Sequence, residues 1–256
     1  MGAVRTIASR ANPLLARLRR LATDPAAYRR QGEVWVEGEH LCAAWLARGR
    51  AVPLALIGDS AWQRPGLRPL AEAADDVVRV PDALMAGLST LGSAPPLAFV
   101  LPWPGPSALD PGAASVVLDR VQDAGNAGSI LRSAAAFGFE QVIALAGTAA
   151  LWSPKVLRAG MGAHFGLKLV EGAETIDGLA VPLLAASPHA ALAIDGATLP
   201  WPCAWVLGHE GQGVAPALLR RCAQVLRIPQ PGGEESLNVA AAAAVCLYES
   251  SRQRRR

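Results

Sequence analysis

The chain has 256 residues, 52% apolar and 18% charged, which excludes intrinsic disorder over most of its length and leaves enough chain to bury a core without staples. Its net charge of +3 is unevenly placed: residues 1–50 carry nine Arg against four acids, residues 252–256 carry four Arg, and residues 51–250 carry 11 Lys and Arg against 17 Asp and Glu. Two basic ends on an acidic middle point to a polyanionic partner.

Cys42, Cys203, Cys222 and Cys246 lie far apart and form no C-x-x-C pair, so neither a zinc ribbon nor a thioredoxin motif is supported. Their apolar neighbours suit buried free thiols in a reducing compartment. The N-terminus has Arg5 and Arg10 and no apolar core of a signal peptide. The longest apolar run, Val239 to Tyr248, is about half a membrane span. These features predict a cytoplasmic protein.

In chain order, Leu14, Leu15, Leu18 and Leu21 recur at helical spacing with Arg17, Arg19 and Arg20 between them, so residues 1–30 read as a basic helical arm. Residues 31–101 read as a small α/β domain. Its strands are Glu33–Glu37, Leu54–Ile57, Val77–Val80 and Ala98–Leu101, with helices around 39–48 and 82–88. Pro102, Pro104, Gly105, Pro106, Pro111 and Gly112 break helix and sheet alike and mark 102–113 as a linker. From 114 to 251 apolar strands alternate with helices: strands at 115–119, 141–145, near 166–170, 181–186, 203–207 and 225–228, and helices at 128–137, 153–160 and 237–250. That alternation predicts a parallel sheet covered on both faces. Residues 252–256 read as a basic tail.

Ligands of such a sheet sit beyond the carboxyl ends of the strands, and three loops there are unusual. The first follows the strand ending at Asp119; a polar turn carries Asn126 and Gly128, and the helix after it carries Arg132. The second, after strand 203–207, has Gly208, Gly211 and Gly213 around Glu210, leaving room for a flat ligand. The third runs from Ile228 through a Pro-Gly-Gly turn to Ser236, placed as the N-cap of the last helix behind Glu234 and Glu235, with Asn238 in the first turn. None is a dinucleotide fingerprint; the nearest approach, Gly160 to Gly166, follows a helix and has the wrong spacing.

Taken together, in this order, the loops resemble the SpoU/TrmH family of SPOUT-class RNA methyltransferases. The family's N-x-G-x-x-x-R is similar to Asn126-Ala-Gly128-Ser-Ile-Leu-Arg132. Its G-x-E-G-x-G is similar to Gly208-His209-Glu210-Gly211-Gln212-Gly213, and its I-P-M-x-G-x-x-E-S-L-N-V to Ile228 through Val239. His209 stands where the family more often has Asn, Gln230 where it has Met, and Ala240 where Ser is frequent. The stretch Ser153 to Phe165 resembles a further family segment. Residues 34–41 and the strands after them are similar to the family's RNA-substrate-binding domain.

The resemblance implies a C-terminal parallel sheet with a deep trefoil knot, preceded by a small α/β RNA-binding domain. It implies transfer of a methyl group from S-adenosylmethionine to a ribose 2′-hydroxyl, of ribosomal RNA in preference to transfer RNA; a catalytically inactive RNA-binding relative is the alternative. By position the cofactor would lie against Leu207, Gly208, Gly213, Ile228, Leu237 and Val239. Arg132 would be the catalytic residue, with Asn126, Glu210, Ser236 and Asn238 orienting it and the ribose. A guanidinium keeps its proton in ordinary protein surroundings, so Arg132 suits stabilisation of a developing alkoxide or the neighbouring phosphate better than the part of base. No metal is called for, because the sulfonium methyl is already activated. Arg17, Arg19, Arg20, Arg29 and Arg30 would hold RNA phosphates, and the family's site implies a homodimer.

Overall fold

The computed structural model describes residues 3–89, 95–232 and 236–255. The chain divides into two compact units. One holds residues 1–105 with 152–162, and the other holds 106–151 with 163–256.

The first unit carries β1 (Ala3–Thr6), α1 (Pro13–Thr23), α2 (Ala27–Gln31), β2 (Glu33–Glu37), α3 (Glu39–Leu46), β3 (Leu54–Gly58), α4 (Asp59–Trp62), α5 (Arg68–Glu72), β4 (Asp76–Val80), α6 (Asp82–Ala86) and β5 (Leu97–Pro102). Its sheet has the order β1-β4-β3-β5-β2. The first three strands run parallel, and β5 is antiparallel to both β3 and β2. The expectation of a separate basic helical arm over residues 1–30 is corrected here. Residues 3–6 form an edge strand in register with 76–79, and Leu15, Leu18 and Leu21 of α1 are fully buried. A helix with three buried leucines is part of a core, because releasing them would cost about 1.5–3 kcal/mol each. Asn12 starts α1 by accepting the Leu14 N–H at 2.9 Å, with Pro13 at the first helical position.

The second unit carries β6 (Ser115–Leu118), α7 (Ala124–Ala136) and β7 (Gln141–Leu145). Helix α8 (Pro154–Gly160) then returns to the first unit, where Arg158 lies 3.5 Å from the buried carboxylate of Glu37. The second unit continues with β8 (Lys168–Ala173), β9 (Leu183–Ala186), β10 (Leu192–Ala193), β11 (Ala204–Leu207), α9 (Pro216–Leu219), β12 (Gln224–Arg227) and α10 (Val239–Arg254). Among the described residues its sheet has seven strands, all parallel, in the order β10-β12-β9-β11-β6-β7-β8. Every residue of β6 and β11 is buried, as strands covered on both faces must be. Two polar pairs lie inside. Gln141 donates to Ser115 Oγ at 2.9 Å, and Trp205 donates to Ser250 Oγ at 2.8 Å.

Two further expectations are corrected. Asn126 and Gly128 lie inside α7 rather than in a turn, because Asp123 caps the helix by accepting the Asn126 N–H at 2.7 Å. The basic tail is the last turn of α10 as far as Arg254. Arg252 pairs with Glu249, and Arg254 lies over the Trp201 ring at 4.6 Å. Cations there complement the helix dipole. Cys42, Cys203 and Cys246 are buried free thiols and Cys222 is half-buried. Among the described residues no helix is long and apolar enough to cross a membrane.

Candidate active site

Strands β6 and β11 are neighbours at the centre of the parallel sheet, so the loops leaving their carboxyl ends meet. Their junction is tight: the Asp119 N–H donates to the Leu207 carbonyl at 2.8 Å. A Cβ at Gly208 would stand 2.1 Å from the Gly213 carbonyl carbon and 2.1 Å from the Val214 nitrogen, both backbone atoms, so only glycine fits. The loop folds back on itself through the Gly213 N–H, which donates to the His209 carbonyl at 2.8 Å, with Gly213 at φ +67°. His209 Nδ1 accepts the N–H groups of Gly211 at 3.0 Å and Gln212 at 3.2 Å. An acceptor on a short side chain is what this turn requires, and both Asn and His supply one.

Glu210 links the second loop to the first. Its Oε1 accepts from Asn126 Nδ2 at 3.1 Å and from the Asp123 N–H at 3.3 Å. Asn126 Oδ1 in turn accepts from Asn238 Nδ2 at 3.0 Å. Three segments far apart in sequence are thus joined by one chain of side-chain hydrogen bonds. Asn238 has a second duty: it is the N-cap of α10, accepting the N–H groups of Ala240 at 2.9 Å and Ala241 at 3.3 Å. The expectation that Ser236 caps this helix is therefore corrected. The helix starts two residues later than the Ser position demands, and Asn is as good a cap as Ser. Glu234 and Glu235 lie outside the described residues.

Burial pushes the Glu210 carboxyl up, but hydrogen bonds from Asn126 and from backbone N–H groups outweigh it and hold the carboxyl below its ordinary value. Glu210 therefore contributes stability that is fully present above the ordinary carboxylate range and fades as pH falls through its lowered value. Glu210→Gln keeps an acceptor but removes the charge. Urea unfolding should show wild type more stable than this variant at pH 7, with the difference vanishing in acid. A gap that persists in acid strong enough to protonate the carboxylate in the folded protein would rule out the charge as its source.

A cleft of about 1320 Å³ opens beside these loops. Its walls include Leu207, Gly208, Gly213, Ile228, Leu237 and Val239, so the six residues named from sequence as cofactor contacts share one cavity. Glu210 and Ser236 also line it. Asn126 and Asn238 reach it through Glu210. Arg132 is exposed on α7, and its guanidinium makes no ion pair or hydrogen bond with the described residues. The tight turn at Gly208, with apolar side chains beside it, forms a slot that a flat ring with polar edges can enter. No cluster of His, Cys, Asp and Glu suited to a metal occurs among the described residues.

Sequence reasoning missed Asp119 and Arg120 as parts of this site. Asp119 is buried; its Oδ2 accepts the Ala215 N–H at 2.7 Å, and Arg120 grips both its oxygens. The only signal was a carboxylate ending an apolar strand. Of the expected phosphate contacts in the first unit, Arg17 is paired with Glu33 and Arg30 with Asp24. Arg19 Nε donates to the Gly87 carbonyl at 3.1 Å, Arg29 lies over the Tyr28 ring at 5.1 Å, and Arg20 is exposed.

The model of the SpoU rRNA Methylase family matches residues 113–248. A relative described as an uncharacterized tRNA/rRNA methyltransferase of Synechocystis sp. is 33% identical over 98% of this chain and 94% of its own. The 23S rRNA (guanosine-2′-O-)-methyltransferase RlmB of Bordetella pertussis is 38% identical over 54% of this chain; the match spans 59% of that relative's length. Among solved structures, the SpoU methyltransferase AviRb from Streptomyces viridochromogenes in complex with AdoMet is similar with a TM-score of 0.85. It is 25% identical, over 95% of this chain and 98% of that one.

Proposed function

The chain belongs to the SpoU rRNA methylase family, and from that premise we propose that it transfers the methyl group of S-adenosylmethionine to a ribose 2′-hydroxyl of ribosomal RNA. The observation that carries the reading is the hydrogen-bonded chain Glu210–Asn126–Asn238, which joins the Gly208–Val214 loop, the first turn of α7 and the cap of α10 beside a cleft. Bound in that cleft, the cofactor would supply a methyl already activated by its sulfonium, so the protein's work is placement and charge.

Leu207, Gly208, Gly213, Ile228, Leu237 and Val239 would hold the cofactor. Arg132, exposed on α7, would meet the attacking ribose oxygen or the phosphate beside it and stabilise the developing negative charge. Glu210 is a weaker proton acceptor than an ordinary carboxylate, because its hydrogen bonds favour the ionised form. It therefore orients the site with Asn126, Ser236 and Asn238, and the hydroxyl's proton leaves to phosphate or water. The resemblance carries with it a trefoil knot in the second unit.

The first unit would present the RNA, with Arg20, Arg29 and Arg30 the exposed phosphate candidates. A homodimer completes the reading. On α10, Ala241, Val245 and Tyr248 are exposed at a spacing of four and then three residues, and that apolar stripe suits a second helix. A ribosomal substrate implies the cytoplasm.

Protein incubated with tritiated S-adenosylmethionine and total RNA should yield ribose-methylated nucleotides in ribosomal RNA. Label on bases alone would sink the ribose assignment, and label in transfer RNA alone would move the substrate there.

A further inference from the structure

Arg120 has a positive φ of +59°, a conformation that costs a residue with a branched-off side chain about 1 kcal/mol or more and that glycine adopts freely. An Arg held there is explained by its side chain. The Nε lies 2.9 Å from Asp119 Oδ1 and Nη2 lies 3.1 Å from Oδ2, a two-point grip on a buried carboxylate. The start of the side chain is fixed as well. The Arg120 N–H donates to Thr148 Oγ1 at 3.1 Å, and its Cγ packs so close to Gly147 that a Cβ there would stand at 3.3 Å. With root and head both anchored, the remaining donors point across to the second loop. Nη1 donates to Gln212 Oε1 at 2.9 Å, and Nη2 lies 3.4 Å from the Gly213 carbonyl.

We propose that Arg120 and Gln212 form a positioning clamp that sets the cleft wall Gly208–Val214 before the cofactor arrives. The inference rests on the methyl-donor reading of the cleft. The wall needs such a device. Glu210, Gly211, Gln212 and Gly213 are exposed and bury no apolar side chain, so packing does not fix their backbone. Ordering a free residue costs about 1–2 kcal/mol, and the clamp takes up what the bonds through His209 and Glu210 leave of that cost, which would otherwise fall on the ligand. The Asp119 N–H holds the near end at the Leu207 carbonyl, its carboxylate holds the far end through the Ala215 N–H, and Arg120 holds Gln212 and Gly213, so both ends of the turn are tied to the carboxyl end of β6.

The test is a double-mutant cycle on the dissociation constant of S-adenosylmethionine and of its demethylated product, measured by calorimetry on the full chain. Arg120→Gly tolerates the backbone conformation and removes the clamp; Gln212→Ala removes only the acceptor. Each should weaken binding about tenfold. The double variant should bind no more weakly than the weaker single one, because both cut the same link. Turnover at saturating cofactor should stay within about threefold, with the loss in KM. If Arg120→Gly does not fold for want of a partner to Asp119, Arg120→Lys takes its place, keeping the charge but not the reach. Effects that multiply would mean that Gln212 touches the ligand directly, and unchanged affinities would mean that the wall needs no clamp; either overturns the proposal. Wild-type protein that binds neither ligand would overturn the methyl-donor reading itself.

Discussion

Gly208→Ala should abolish cofactor binding and lower the stability of the second unit, more than any other single methyl group added along these loops. The added carbon would meet the Gly213 carbonyl carbon and Val214 nitrogen at 2.1 Å and the Gly213 oxygen at 2.4 Å. These are backbone atoms, so no side chain can swing aside. To relieve the clash the turn 208–213 would have to open, losing the Gly213 N–H bond to the His209 carbonyl and misplacing Glu210. Overpacking typically costs about 1–3 kcal/mol, and a contact with rigid backbone belongs at the top of that range. A loss of about 3 kcal/mol in ligand affinity is more than a hundredfold in Kd. Calorimetric titration with S-adenosylmethionine and thermal unfolding check both halves of the expectation. A variant that binds within threefold of wild type would mean that the two backbone segments separate easily. Gly211 makes the control, since a Cβ there meets only the His209 ring, at 3.8 Å.

Much of this arrangement was legible in the residues, for reasons that differ by element. The strands SVVL and AWVL are uninterrupted apolar runs, which a central parallel strand must be, and they fall where expected. Strand β1 was not legible. Its four residues, AVRT, are all exposed, and only pairing with β4 makes them a strand. The opening of α7 was misread because Gly125, Asn126 and Gly128 are poor helix formers. The Asp123 cap and burial of Gly128 against the core override that local preference. Ser236 and Asn238 both carry cap chemistry, and the local pattern pointed to Ser236. The choice falls to Asn238 because its amide also reaches Asn126, a contact across more than a hundred residues. Arg120 was invisible for the same reason: its value lies in Asp119, Thr148 and Gln212 converging on it, and convergence belongs to topology rather than to local pattern. The residue types of the site were readable because the chemistry restricts them; the bonds that hold those residues in place were not.

Arg132→Ala should reduce turnover about 10²–10³-fold while leaving cofactor affinity within twofold of wild type. The magnitude is that of removing one donor aimed at developing charge, about 3–4 kcal/mol in the transition state. The separation of turnover from binding follows from placement. Arg132 is exposed on α7 and is absent from the cleft walls formed by Gly208, Ile228 and Leu237. Its guanidinium is not committed to an ion pair with the described residues, so its removal strands no buried carboxylate among them and should leave the melting temperature nearly unchanged. Arg132→Lys refines the result. A lysine keeps the charge but offers a single point of contact in place of a planar fork, so partial recovery would mean that charge is the main contribution and no recovery that two-point geometry is. Single-turnover methylation at saturating cofactor reads the chemical step, and titration of the cofactor without RNA reads binding. A variant that loses affinity in step with turnover would put Arg132 in the cofactor's pocket. One that keeps full turnover would pass the charge-stabilising part to another residue.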